Sequence, residues 1–323
     1  MFLTGIESQW DFVFLKLRHQ TSVLSSFVIL LIALLPSCTS PNDPSQKSLL
    51  GGREITDDAG RRVLLPPVVD RAISLAPNLT ETVFAVGAGM KLVGDTTYCD
   101  FPEEAKHVTK VGDTLHPSME RIIALKPEVV LVSTASQLEV FTDQLKSHNI
   151  AVFVTDPRDL EGVFRSITQV GEILGKSEEA KTVVASLRQR SESVETKVKQ
   201  LPPVRIFYQL SAEPLYTAGK DSFVTDLIRR AGAESVTADV PGAWPKYSAE
   251  SALAAKPDAI ILPTGGSMGA GNSTVAEALR KSPAALRGRV YKINDDHLVR
   301  PGPRAIDGLE AMAKALHPEA FNQ

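Results

Sequence analysis

Three aromatic side chains stand in predicted loops of an α/β pattern, where a ligand could be held. They are Tyr98 in TYCDFP, Tyr216 in YTAGK and Trp244 in GAWPKY. In open α/β sheets, ligands bind in the loops beyond the carboxyl ends of the strands. A flat ring with a polar tip is suited to form the wall of a site for a large planar ligand. Half-buried packing is the alternative for any single ring.

The loop DDHLVRPGPR follows the predicted strand VYKIN and adds ionisable groups. Asp296 and Arg300 provide a carboxylate and a guanidinium. Among neutral rings, these groups could hydrogen-bond amide or carboxylate groups at the edge of a ligand. Ordinary solvation of both side chains at the surface is the alternative.

A repeated phrase indicates how these loops are positioned. SMERIIALKPEVVLV at 118–132 and SAESALAAKPDAIIL at 248–262 are identical at five of fifteen positions. Each predicts a serine N-cap, a glutamate in the first helical turn and two turns of helix. Proline then keeps the preceding lysine out of the helix and opens an extended run. The runs VVLV and AIIL are typical of strands buried on both faces, so the chain predicts two similar α/β lobes with parallel sheets.

A helical segment lies between the two phrases. Residues 159–200 have helical periodicity that breaks near 175–177, and no Gly or Pro occurs from Glu178 to Leu201. A helix of that length spans about 30–35 Å and could connect the two lobes. An ordinary surface helix is the alternative. The predicted organisation is a lobe at 54–158, a helical connector at 159–201 and a second lobe at 202–323.

Composition excludes several classes of function. The chain has 323 residues, 43% of them apolar, and carries 35 basic against 38 acidic residues with no basic run, so a nucleic-acid partner is not expected. GGSMGAG lacks the Lys-Ser/Thr of a phosphate-binding loop, and no Ser-His-Asp order with a nucleophile elbow occurs. Cys99 has no histidine neighbour in a known arrangement, so a small buried hydrophobe is favoured over a nucleophile. An enzyme is not expected.

The N-terminus predicts export and lipid anchoring. Lys16, Arg18 and His19 precede an apolar run whose core, residues 27–35, is short for a membrane span. LPSC at 35–38 resembles the lipobox of bacterial lipoproteins, which implies a signal at 1–38, lipid on Cys38 and a membrane-anchored protein facing the periplasm or the cell surface. A plainly cleaved signal is the alternative. Residues 39–53 are rich in Pro, Gly and Ser, as a flexible tether would be.

Together, TDDAGRRVLLP, RAISLAPNLTETVFAVGAG, TYCDFP, the two repeated phrases and YTAGKDSFVTDLIRRAGA resemble the periplasmic binding proteins that serve importers of cobalamin, haem and ferric siderophores. The resemblance runs from about residue 54 to the C-terminal helix and is strongest to the cobalamin-binding members. It implies two Rossmann-like lobes joined by one long rigid helix, with the ligand between them and little hinge closure. It also implies a monomer that delivers its ligand to a permease dimer with its ATPase. An exported enzyme or a signalling lipoprotein of the same fold is the alternative.

The resemblance assigns roles to the loop residues. Tyr98, Tyr216 and Trp244 align with aromatic residues of the cleft in cobalamin-binding members, and Asp296 and Arg300 match positions near it. No resident cofactor is expected, because the ligand would itself be a metal chelate such as cobalamin.

The chain also departs from the cobalamin-binding pattern. Two tryptophans of that pattern correspond to Thr114 and Ser133, and a third aromatic residue to His297, so the ligand could be a corrinoid, haem or a ferric siderophore. Tyr98, His116 or His297 could ligate a haem iron or a cobalt ion, although an ordinary surface histidine is the alternative. The six histidines show no paired ligand spacing, which argues against a zinc or manganese site.

Glu120 and Glu250 occupy equivalent positions in the two phrases. Stabilisation of each helix dipole, about 0.3–1 kcal/mol, would explain them without a partner. In the resembled family, glutamates at these positions dock onto arginines of the two transporter subunits, and docking is the favoured hypothesis.

Overall fold

The computed structural model describes residues 52–133, 138–265 and 274–321. The signal segment, Cys38, most of the predicted tether and the GGSMGAG segment from residue 266 onward lie outside the described residues. Within the described part, no helix combines the length and apolarity needed to cross a bilayer.

An antiparallel hairpin begins the described chain. The Asp57 carboxylate accepts hydrogen bonds from the backbone N–H groups of Ala59 and Arg61, and Gly60 adopts a positive φ of 74° to close the turn. The two strands are β1, Arg53–Thr56, and β2, Arg62–Leu65.

The first lobe is built on a parallel four-stranded sheet. Its strands are short and almost wholly buried, because helices cover both faces and the sequence supplies unbroken aliphatic runs. The strands are β3, Ala72–Ser74; β4, Leu92–Gly94; β5, Val129–Ser133; and β6, Ala151–Thr155, in the spatial order β4-β3-β5-β6. The helices are α1, Pro77–Ala85; α2, Met119–Ala124; and α3, Leu138–Ser147.

Two helices connect the lobes. They are α4, Leu160–Ile173, and α5, Ser177–Val198. The 22 residues of α5 form the long helix that the sequence predicts. The two helices run antiparallel, because Arg188 pairs with Glu161 at one end while Gly171 packs against Ala180 at the other.

The second lobe repeats the first. Its strands are β7, Val204–Tyr208; β8, Ser211–Ala212; β9, Leu215–Tyr216; β10, Ala233–Ser235; β11, Ala259–Thr264; and β12, Val290–Asn294, with β8 and β9 forming a separate small hairpin. The parallel sheet has the order β10-β7-β11-β12, which matches the first sheet strand for strand. The helices are α6, Phe223–Arg230; α7, Ala249–Ala254; α8, Pro283–Leu286; α9, Asp295–Val299; and α10, Ala305–Leu316.

The repeated phrases form the same unit in each lobe. The hydroxyls of Ser118 and Ser248 accept hydrogen bonds from backbone N–H groups three residues on, so both are N-caps. Lys126 and Lys256 leave the helix, as predicted, but they do so with φ of 47° and 48°. A left-handed residue after the last helical turn reverses the direction of the chain sharply, so the proline that follows it can begin the extended segment that leads into the strand.

Buried aliphatic and aromatic side chains continue from one lobe into the other. One cluster runs from the N-terminal hairpin through α4 and α5 to α10 and includes residues of both sheets. Two smaller clusters lie on the remaining faces of the two sheets. The lobes therefore share one core through the helical connector. The exact boundaries predicted for lobes and connector stay predictions.

Candidate functional site

A cavity of about 670 Å³ lies between the carboxyl ends of the two sheets. One side is formed by the last residue of β5 and by residues that follow β3 and β6, and the other by residues that follow β7 and β12 and by the start of α6. This is where parallel α/β sheets bind ligands. Two of the loops singled out from the sequence, GAWPKY and DDHLVRPGPR, therefore reach the same cavity.

Of the three predicted aromatic residues, Trp244 lies in the wall of this cavity, with 39% of its surface exposed. Its ring centroid is 6.4 Å from that of Tyr208, which is fully buried at the end of β7. Tyr98 and Tyr216 are half-buried and are not among the described residues that line the cavity. Their proposed contact with a ligand stays a prediction.

Thr114 and Ser133, the positions that align with tryptophans of the cobalamin-binding pattern, both lie in the cavity wall. Small polar side chains therefore stand where that pattern has large rings, which leaves this side of the cavity wider. The neighbouring Leu115 is 55% exposed.

Arg300 lies in the wall but forms the centre of a buried ion-pair network. Its guanidinium is 3.0 Å from Glu81, 2.9 Å from Asp100 and 2.8 Å from Asp296. Burial alone would lower the pKa of Arg300, but the hydrogen bonds to Asp100 and Glu81 raise it, so the group stays cationic. Its charge is already balanced within the protein.

The same network joins the lobes. Glu81 belongs to α1 of the first lobe, is 3% exposed, and also accepts hydrogen bonds from Arg304 at 2.6 and 2.9 Å. Asp296, at the start of α9, is 8% exposed and faces Arg300. We call Glu81, Asp100, Asp296, Arg300 and Arg304 the interlobe network.

His297 does not reach the cavity among the described lining residues. It is half-buried, and burial, together with the nearby Arg304 charge, lowers its pKa, so the ring is neutral at pH 7. His116 is exposed and its Nδ1 lies 3.2 Å from the Asp113 carboxylate. No group of three or more His, Cys, Asp or Glu side chains placed to hold a metal occurs within the described ranges.

Sequence reasoning missed Asp295, which lies in the wall, and Tyr208, which is fully buried and whose ring neighbours that of Trp244. Asp295 lines the cavity, is 1% exposed, and neither carboxylate oxygen has a hydrogen-bond partner in the described part of the chain. Burial raises its pKa to about 6, and the Asp296 charge adds to this while Arg300 opposes it. The Tyr208 hydroxyl likewise has no partner there, and burial and the Asp295 charge raise its pKa.

A sequence signal could have identified Asp295. Ile293 is buried and Asn294 is exposed at the end of β12, so the period of two along a strand directs residue 295 inward. Choosing between the adjacent Asp295 and Asp296 required the position at which the strand ends.

Glu120 and Glu250 are exposed in the first turns of α2 and α7, one on each lobe. The Ser248 hydroxyl donates a hydrogen bond of 2.7 Å to the Glu250 carboxylate, and this bond lowers the pKa of Glu250. Both carboxylates are therefore available to a partner.

Comparisons with known proteins agree with this geometry. A periplasmic binding protein family model matches residues 73–295. The chain is 31% identical over 314 residues to the uncharacterized ABC transporter substrate-binding lipoprotein YvrC of Bacillus subtilis, covering 92% of this chain and 97% of the relative.

Solved structures are similar as well. The periplasmic vitamin B12 binding protein BtuF of Vibrio cholerae superposes with a TM-score of 0.69 at 26% identity, over 79% of this chain and 99% of that one. The periplasmic heme-binding protein BhuT, in complex with two hemes, has a TM-score of 0.68 at 25% identity, over 76% and 98%. With its paired parallel sheets and the cavity between them, the chain belongs to the periplasmic binding protein family, the non-enzymatic solute-binding components of ABC importers.

Proposed function

We propose that the protein captures a corrinoid such as cobalamin in the cavity between its sheets and delivers it to a membrane permease. The observation that carries the proposal is the cavity itself, which lies at the carboxyl ends of both sheets with the Trp244 indole in its wall. Similarity to a vitamin B12 binding protein supports a corrinoid. Similarity to a heme-binding protein makes haem the alternative to test. Binding and handover require no bond to be made or broken.

Intrinsic fluorescence tests the ligand. The chain has two tryptophans, and cleavage before Cys38 removes Trp10, so Trp244 alone reports on the cavity of the mature protein. Cyanocobalamin should quench this emission saturably after correction for ligand absorbance, whereas haemin and a ferric siderophore should not. A Trp244→Phe variant, followed by equilibrium dialysis, separates quenching from binding. The proposal fails if no corrinoid response saturates and mass spectrometry finds no corrinoid bound.

Docking on the transporter is assigned to Glu120 and Glu250. Their support is the equivalence of the two positions, since a pair related by the internal repeat suits a permease with two similar halves. Replacing both by alanine should leave ligand affinity unchanged and reduce uptake in cells. The matched control replaces Glu104 and Glu277, which are also exposed and lie one on each lobe. Unchanged uptake with the first pair, or an equal loss with the control pair, contradicts docking.

Export and lipid attachment at Cys38 complete the proposal. LPSC and the similarity to a substrate-binding lipoprotein over nearly the whole chain support it. A Cys38→Ser variant should move from the membrane fraction to the soluble fraction. Retention of this variant in the membrane fraction would argue for a different anchor.

A further inference from the structure

Asp295 differs from the other carboxylates of the described ranges, because both of its oxygens are buried without a hydrogen-bond partner. A buried charge without a hydrogen-bond partner is costly, and proteins usually pair such groups or expose them. Asp295 lines the cavity, yet both of its oxygens lack a partner in the described ranges. With a pKa of about 6, the group is ionised at pH 8. A ligand that donates hydrogen bonds would supply the missing partners.

The groups around Asp295 do not neutralise it. Asp296 carries a like charge, and the Arg300 guanidinium is engaged by Glu81, Asp100 and Asp296. The Tyr208 hydroxyl is the other buried polar group whose pKa responds to the Asp295 charge, and it also lacks a partner among described residues. Neither of these two buried polar groups, the Asp295 carboxylate and the Tyr208 hydroxyl, therefore has a hydrogen-bond partner among the described residues.

The rest of the described wall does not offset this charge. Asp156 pairs with Arg158 at 2.9 Å, and Asp221 accepts a backbone hydrogen bond from Gly242 at 3.0 Å. Three carboxylates and two guanidiniums line the described wall, which leaves one negative charge in excess. Residues 134–137 and 266–273 contain no ionisable side chain, so the sequence of these segments adds no charge.

We propose that Asp295, with the Tyr208 hydroxyl as its buried neighbour, forms a subsite that binds N–H donors, such as primary amides, on the edge of the ligand and rejects carboxylate edges. The inference rests on the proposed function and refines it. A corrin ring carries primary amides around its rim, which can donate to a carboxylate. A haem edge carries propionates, which the same carboxylate repels. The subsite is thus the element that distinguishes two otherwise similar planar chelates.

The test compares cyanocobalamin with its monocarboxylic acid derivatives, in each of which one rim amide is hydrolysed. Calorimetric titration at pH 8 of the mature protein should show at least one derivative bound about tenfold or more weakly than cyanocobalamin, as expected when a charged hydrogen bond is replaced by repulsion. Asp295→Asn should bind cyanocobalamin about tenfold more weakly and lose most of this discrimination. Tyr208→Phe should weaken cyanocobalamin binding several-fold.

Asp258→Asn is the matched control, because it removes the same charge from the same lobe just before β11, at the end of the sheet away from the described cavity lining. It should retain both affinity and discrimination. Unfolding midpoints establish that each variant folds. Wild-type affinity in Asp295→Asn, or discrimination equal to that of the wild type, overturns the subsite while leaving corrinoid binding intact. Absence of saturable cyanocobalamin binding by the wild type overturns the proposed function and, with it, the subsite.

Discussion

Two buried charged regions lie side by side at the cavity and differ in how their charges are satisfied. In the interlobe network, two arginines are surrounded by three carboxylates, and the ion pairs within it join α1 of the first lobe to the end of the second. In the corner formed by Asp295 and Tyr208, no hydrogen-bond partner is present in the described chain. The first region can be explained by the protein alone, whereas the second calls for a ligand.

The comparison teaches which buried charges to assign to function. Removing one member of a satisfied network leaves other charges buried and unpaired, so stability falls. Removing an unsatisfied charge relieves a cost, so stability rises while ligand binding weakens. Opposite signs of the stability change therefore distinguish a structural region from a binding region.

The largest effect is expected for Glu81→Ala. This change removes a carboxylate that lies 3.0 Å from Arg300 and 2.6 Å from Arg304, and leaves Asp296 as the buried carboxylate near both. The free energy of unfolding should fall by about 3–5 kcal/mol, as measured by urea titration. A loss below about 1 kcal/mol would show that the network contributes little to joining the lobes.

A gain in stability is expected for Asp295→Asn. Burial holds the pKa of Asp295 at about 6, above its usual 3.8, so the ionised form destabilises the folded protein. At pH 8 the variant should be more stable than the wild type by on the order of 1–2 kcal/mol, even though it binds cyanocobalamin more weakly. A variant that is less stable at pH 8 would mean that the carboxylate has a structural role.

The pH course of that gain sharpens the comparison. Between pH about 4 and about 6, Asp295 is protonated in the folded state but ionised in the unfolded state. The free energy of unfolding of the wild type therefore falls as the pH rises through this range. The difference between variant and wild type should be smallest near pH 4 and level off above pH 7. Burial also raises the pKa of Asp95 to about 6, so the pH dependence of the free energy of unfolding can be compared independently in Asp95→Asn. A difference that is constant from pH 4 to pH 8 contradicts the ionisation account.

The smallest effect is expected for Asp100→Asn. Its side chain is 36% exposed, so water can compensate for the lost ion pair with Arg300. Unfolding free energy should fall by about 1 kcal/mol or less. A loss as large as that of Glu81→Ala would show that the position in the network matters more than burial.

Much of the fold follows from local patterns. The repeated phrases, with their serine caps and aliphatic runs, predict two parallel-sheet lobes, and the segment without Gly or Pro predicts α5. The left-handed lysines were not predicted, because the restriction before proline favours extended backbone and the end of the preceding helix overrides it.

The site was predictable only where it depends on strand ends. The loops after β3, β6 and β12 and the last residue of β5 do meet at the cavity, and Trp244 lies there. The partners of Arg300 could not be predicted, because Glu81 lies 219 residues away in sequence and only tertiary packing brings them together. The choice of Asp295 over Asp296 likewise depends on where β12 ends and α9 begins, which the adjacent pair of aspartates does not reveal.

A structure of the mature protein bound to cyanocobalamin tests the central claim most directly. The account predicts the corrin ring in the cavity between the sheets, with a rim amide nitrogen within about 3.2 Å of the Asp295 carboxylate. A corrinoid bound elsewhere, or bound in the cavity with no donor near Asp295, would contradict it.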